Sequence, residues 1–148
     1  MIHIKSEKEL ERMRVAGRIT ALARKAAADA VHPGVTTEEI DRIVRKTIED
    51  AGAKPSFLGY GGFPGSACIS INNEVIHGIP RSSKVIHKGD IVSVDVGALY
   101  NGFHGDTCAT FPCGEISDEA KALLEVTEAS LYEGIKAAQV GARLGDVC

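Results

Sequence analysis

No apolar run in this sequence approaches membrane-spanning length, and the opening stretch MIHIKSEKELERMR is too rich in charge for a secretory signal. Neither sign of charge dominates. The 17 Lys and Arg stand against 20 Asp and Glu, a net charge of −3, with acids and bases interleaved along the helical segments. That balance gives no electrostatic basis for binding DNA or an anionic membrane. Cysteine is scarce, and Cys68, Cys108, Cys113 and Cys148 form no C-x-x-C motif. The sequence therefore points to reduced thiols and a cytoplasmic setting rather than a disulfide framework or a paired Cys/His zinc site. A phosphate loop and a Gly-x-Ser-x-Gly nucleophile elbow are also missing. What remains is ordinary globular composition, 44% hydrophobic over 148 residues. That is enough for one domain burying roughly two thirds of its unfolded surface.

Helical signals open the chain. Ser6 with Glu9 has the form of a capping box, and Leu10, Met13, Gly17 and Thr20/Ala21 begin a helical stripe that closes at His32-Pro33-Gly34. Thr36 with Glu39 repeats the box. Ile40, Ile43, Val44, Ile48 and Ala51 follow at helical spacing, and Gly52 offers a C-terminal cap. FLGYGGFPGS (57–66) is a glycine-rich loop with three aromatic side chains. ACISI and EVIHGI read as short strands about an Asn72-Asn73 turn, and IVSVDVGAL and FHGDTCATF as two more about Asn101-Gly102. Ser117 opens a third helix carrying Leu123, Leu124, Leu131 and Ile135, ending near Gly141. Helix, helix, four strands, helix, with hairpins dominating, predicts an α/β chain of the α+β type: a mainly antiparallel sheet covered by helices. AAADAVHPGVTTEEI (26–40) and EGIKAAQVGARLGDV (133–147) also align at an offset of 107. Each joins a small-residue helix end, a glycine, a short link, an acid and an aliphatic residue. The repetition predicts one domain over 1–148, with a first repeat over 1–116 and the start of a second over 117–148.

The last hairpin carries the chemistry. A two-residue turn at Asn101-Gly102 sets Asp95 opposite Cys108 and Gly97 opposite Asp106. Side chains alternate, so these four share one face while Val92, Val94 and Val96 take the other, toward the helices. Asp95 and Asp106 are then diagonal neighbours, with Cα atoms about 7–8 Å apart. Two unpaired carboxylates in a partly dry site repel, and one takes up a proton. A divalent cation removes that conflict and uses their oxygens as ligands. Two ligands are too few for a tight site, so the others come from elsewhere. His104 shares the face, and this geometry leaves it among the candidate ligands. Cys108 shares it as a small strand residue. His77, beside the aliphatic residues of NEVIHGIP, reads either as a satisfied structural group or as a catalyst.

CISINNEVIHGIP followed by GDIVSVDVGALYNGFHGDTCATF resembles the methionine aminopeptidases, specifically the bacterial (type I) enzymes without a zinc-finger extension. The resemblance runs from ERMRVAGRITA through GARLGD. It implies the pita-bread fold, an internally duplicated structure enclosing two divalent ions drawn from Co, Mn, Fe or Zn. On that resemblance Asp95 chelates one metal and Asp106 bridges the pair, and the two ions together polarise the scissile carbonyl. His77 contacts the substrate amide and steadies the developing charge. Tyr60, Phe63 and Cys68 line the methionine pocket, where a soft thiol beside aromatic rings suits a thioether. Asn72 falls in a loop that holds a monovalent cation. The resemblance gives His104 no metal.

Two positions depart from the pattern. Phe57 stands where many bacterial members carry a smaller residue, usually cysteine, and Gly61 stands where they often carry histidine. The family's remaining ligands, one histidine and two glutamates, belong to a second half that is not in this sequence. The implied activity is removal of the initiator methionine from nascent polypeptides by a longer parent, with the ribosome as a candidate partner. The 148-residue chain is then expected to lack activity alone and to self-associate through its unpartnered faces. Two rivals stand beside this reading. A pita-bread binding module without catalysis has no need of both aspartates. A proline-specific aminopeptidase or prolidase shares the fold and the aspartate pair, but NEVIHGIP with Tyr60 and Cys68 favours methionine.

Overall fold

The computed structural model describes residues 3–148, which divide into two compact units, one ending at Glu115 and the other beginning at Ile116. In the first unit, helix α1 (Glu7–Ala30) starts at a capping box in which Glu9 Oε2 accepts from the Ser6 N–H at 2.8 Å and from its hydroxyl at 2.7 Å. Its buried face is Ala16, Ile19, Thr20, Ala23 and Ala27. This corrects the stripe predicted through Met13, Gly17 and Ala21, which are exposed. The small residues win because the helix backbone lies directly on the sheet. A Cβ at Gly105 would stand 2.5 Å from the Ala16 carbonyl oxygen and 2.8 Å from the Gly17 nitrogen. Arg24 reinforces the crossing by donating to Thr107 Oγ1 at 2.6 Å and to the Cys108 carbonyl at 3.3 Å.

Helix α2 (Thr37–Asp50) follows its sequence signals closely. Thr36 Oγ1 accepts from the Glu39 N–H at 3.2 Å, Glu39 Oε2 accepts from the Thr36 N–H at 2.8 Å, and Gly52 leaves the helix at φ +73°. Ile40, Val44 and Ile48 are fully buried. Those three and the α1 alanines meet Val92, Val94 and Val96 of the sheet in one core. Burial of a side chain of this size stabilises by about 1.5–3 kcal/mol.

The sheet has β3 (Ile91–Tyr100) at its centre. Strand β4 (Phe103–Pro112) pairs antiparallel with one edge of β3; β1 (Lys54–Pro55) and β2 (Ala67–Ile71) pair antiparallel with it along the other. Asp95 faces Cys108 and Gly97 faces Asp106, as the Asn101-Gly102 turn predicts. The predicted strand at EVIHGI does not form. Beyond Ile71 the chain turns at Asn72 (φ +54°), and His77 adopts φ +59°, which no strand accommodates. Residues 74–79 instead cross over β2: the Ile69 N–H donates to the Gly78 carbonyl at 2.8 Å and the Gly78 N–H to Ser70 Oγ at 3.0 Å. A Cβ at Gly78 would meet the Ile69 carbonyl oxygen at 2.1 Å, so only glycine permits this crossing.

The second unit holds α3 (Asp118–Ala137) and the short α4 (Leu144–Val147). Ser117 Oγ caps α3 by accepting from the Ala120 N–H at 3.2 Å. The helix stops at Ala137, four residues short of the Gly141 predicted as its end. No helix among the described residues is long and apolar enough to cross a membrane.

Candidate metal centre

Alternation along three adjacent strands builds the face of the sheet that points away from the helices. Cys68 of β2, Asp95 of β3 and Cys108 of β4 lie in one row, and Gly97 and Asp106 lie in the next. The valines of β3 are completely buried on the opposite side, so a register slip that turned Asp95 inward would expose the core. The two carboxyls are held on this face by the packing of the other.

Their electrostatics accord with this shared face. Burial, the charge of Asp106 and a carboxyl–carboxyl hydrogen bond with Asp106 push Asp95 up to about 6, while His77 and the Val96 N–H pull the other way. His77 thus acts on Asp95 through space, although residues 78–94 lie between them in the sequence. Cys68 is 6% exposed, and burial together with the charge of Asp95 pushes its thiol up to about 11. It is therefore a neutral thiol rather than a thiolate. Cys108 is likewise raised, first by burial and then by Asp95.

The structure does not bring every predicted residue to this face. Tyr60 is 81% exposed at the start of a 3₁₀ turn over Tyr60–Gly62, and Phe63 follows it, half-buried. The Asn72 side chain is committed elsewhere: its amide donates to Asp90 Oδ1 at 2.8 Å and its oxygen accepts from the Ile91 N–H at 3.0 Å. His104 is on the predicted face, but its Nδ1 is hydrogen-bonded to Ser56 Oγ at 2.8 Å. Among the described residues, no group of three or more His, Cys, Asp or Glu side chains is arranged to hold a metal ion.

Sequence reasoning missed two contributors, Asp41 and Glu74, and marked a third, Phe57, only as a departure from the family pattern. Phe57 rests on Gly97, where a Cβ would come within 2.6 Å of Phe57 Cε1. Asp41 of α2 accepts from the Ser66 and Ala67 N–H groups at 2.7 and 2.9 Å, fixing where β2 begins. Glu74 binds Lys84 Nζ with both oxygens, at 2.5 and 2.6 Å, and braces the segment that carries His77. A glycine within a valine-rich strand was the one available signal, since it marks close approach by another part of the chain.

The structure is an antiparallel sheet backed by helices, with two aspartates on its open face. The chain belongs to metallopeptidase family M24, whose sequence pattern matches residues 11–148. Within that family its likeness is to the bacterial type I methionine aminopeptidases. It is 50% identical to methionine aminopeptidase 1 of Bacillus subtilis over 147 residues, covering 99% of this chain and 59% of the relative. The crystal structure of methionine aminopeptidase from Thermotoga maritima superposes with a TM-score of 0.96 at 42% identity, over 99% of this chain and 59% of that one. Prolidase from Pyrococcus furiosus superposes with a TM-score of 0.81 at 27% identity, over 92% of this chain and 39% of that one. The fold is the family's pita-bread fold in part, and the chain spans 59% of the length of these two methionine aminopeptidases.

Proposed function

We propose that this chain supplies the Asp95–Asp106 side of a dinuclear centre that removes N-terminal methionine from polypeptides in the cytoplasm. The observation that carries the reading is the diagonal placement of those two carboxyls on one face of the β3–β4 hairpin, where burial and Asp106 push Asp95 up to about 6. Such a pair is relieved by divalent cations, and its hard oxygen donors accept Mn, Fe, Co or Zn. The residues present therefore fit the group. Bound there, a pair of divalent ions supplies electrophilic polarisation of the scissile carbonyl.

Asp95 and Asp106 would hold those ions. His77, exposed on a left-handed backbone, would bond the substrate amide and steady its developing charge. Cys68 would offer the methionine side chain a neutral, polarisable wall, with Phe63 and the exposed Tyr60 bordering the same pocket. Because the Asn72 side chain is already bonded, a monovalent cation at that loop would have to be held by backbone carbonyls.

Two stretches support the reading of 1–116 as a first repeat and 117–148 as the start of a second. Gly34 and Gly141, 107 positions apart, have φ +93° and +92°. The Thr36 N–H bonds Glu39 at 2.8 Å, and the Arg143 N–H bonds Asp146 at 2.8 Å. With two carboxylates as its own contribution, the chain alone should bind metal weakly and lack peptidase activity. Isothermal titration with Mn²⁺ tests this: weak, Asp95-dependent binding is expected, and binding that survives Asp95→Asn sinks the assignment. Hydrolysis of Met-Ala-Ser on adding a separately expressed second half, without cleavage of Ala-Pro, would favour methionine over proline specificity. The higher likeness to methionine aminopeptidases than to prolidase supports that preference.

A further inference from the structure

The segment Ser56–Ser66 carries Phe57, Tyr60 and Phe63. Its backbone bonds largely to itself: the Gly59 N–H donates to the Phe63 carbonyl at 2.8 Å, the Tyr60 N–H to that of Phe57 at 3.0 Å, and the Phe63 N–H to that of Tyr60 at 2.9 Å. A loop closed on itself keeps its own shape, but it must be held where it meets the sheet. At its far end Asp41 receives the Ser66 and Ala67 N–H groups. At its near end the Ser56 N–H donates to the Gly97 carbonyl at 2.9 Å, and the Ser56 hydroxyl is bonded to His104 Nδ1 at 2.8 Å.

That second bond spans β3 from one edge to the other, because Ser56 continues β1 and His104 belongs to β4. Gly97 lies beneath it. A Cβ there would stand 2.9 Å from Ser56 Cβ and 2.6 Å from Phe57 Cε1, so the bare backbone opens the passage. His104 is exposed and Ser56 half-buried, and neither belongs to the hydrophobic core. Their bond therefore orients the loop more than it stabilises the fold.

We propose that His104 is a positioning residue of the substrate site: through Ser56 it fixes the Phe57–Phe63 loop over the face that bears Asp95 and Asp106. The substrate's N-terminal side chain then meets the loop at a set distance from the two carboxylates. The substrate part of this inference rests on the peptidase reading above; the latch itself does not.

Hydrogen exchange on the chain tests it, with His104→Ala, Ser56→Ala, the double variant and His104→Asn compared alongside Mn²⁺ titration. Each alanine variant should speed exchange of the 57–63 amides by roughly three- to tenfold, the scale of one partly exposed hydrogen bond. The double variant should add nothing further, since both substitutions remove the same bond. His104→Asn, whose amide can reach the Nδ1 position, should restore protection, while α2 amides and Mn²⁺ affinity stay at parent values. Unchanged loop exchange in both single variants, or additive effects in the double, overturns the latch. Loss of Mn²⁺ binding in His104→Ala also overturns it, because His104 would then be a ligand. Absence of Asp95-dependent Mn²⁺ binding in the parent overturns the peptidase reading instead and leaves the exchange result standing.

Discussion

Asp95 sits where burial and the adjoining Asp106 both oppose its charge. In the metal-free chain its folded value of about 6 lies above the ordinary 3.8. The folded protein therefore holds a proton across that interval which the unfolded chain has released. Its contribution to stability is greatest below the unfolded value, declines as pH rises through about 6, and is flat above. Asp95→Asn should remove this slope and raise the thermal midpoint at pH 7.5 by about 3 °C. That corresponds to about 1 kcal/mol, since the group is only half-buried and solvent screens part of the repulsion. The same variant should weaken Mn²⁺ binding by roughly 100-fold. Stability rising while metal affinity falls is what a functional carboxylate pair predicts, and a midpoint that falls would count against it. Both acids were legible beforehand, because strand alternation and the Asn101-Gly102 turn are local. The conformation of His77 was not, because its φ of +59° depends on how its segment meets β2.

Among the elements, the contact of α1 with β4 is sensitive to a single methyl group. Gly105→Ala would place a Cβ against the Ala16 carbonyl and the Gly17 nitrogen, backbone atoms that no rotamer change can move aside. A cost of about 3 kcal/mol or more is expected, read as a lower denaturant midpoint with unchanged m-value. Gly97→Ala meets the edge of a Phe57 ring and should cost less, about 1–3 kcal/mol, with the loop displaced. For α2, Thr36→Ala removes the cap on the Glu39 N–H, and a loss of about 1 kcal/mol should appear in equilibrium unfolding. Helix α2 was readable to within its caps, because capping boxes and a 3.6-residue stripe are encoded within a few positions. The strand expected at EVIHGI was not. Its alternating aliphatic residues suggested pairing, yet Val75 is 92% exposed and the edge of β3 beside β2 continues into β1 instead.

At the scale of the whole molecule, the second unit carries exposed apolar side chains. On α3, Val126, Leu131, Tyr132 and Ile135 are all more than half exposed. Exposed apolar side chains of this kind favour association. Light scattering should show mass rising with concentration, and Val126→Glu with Leu131→Glu should shift the protein toward monomer. A monomer across the whole concentration range would sink the expectation. Taken by itself, the amino-acid sequence determined the ends of α2, the cap of α3, the pairing of β3 with β4 and the shared face of Asp95 and Asp106. Each of these follows from caps, turns and alternation acting over a few neighbouring residues. Only the tertiary structure decided which face of α1 is buried, that residues 74–79 lie across β2, and that Ser56 reaches His104 over Gly97. Those outcomes depend on groups far apart in the chain competing for the same sheet edge and the same small volume, and no local pattern records who wins that competition.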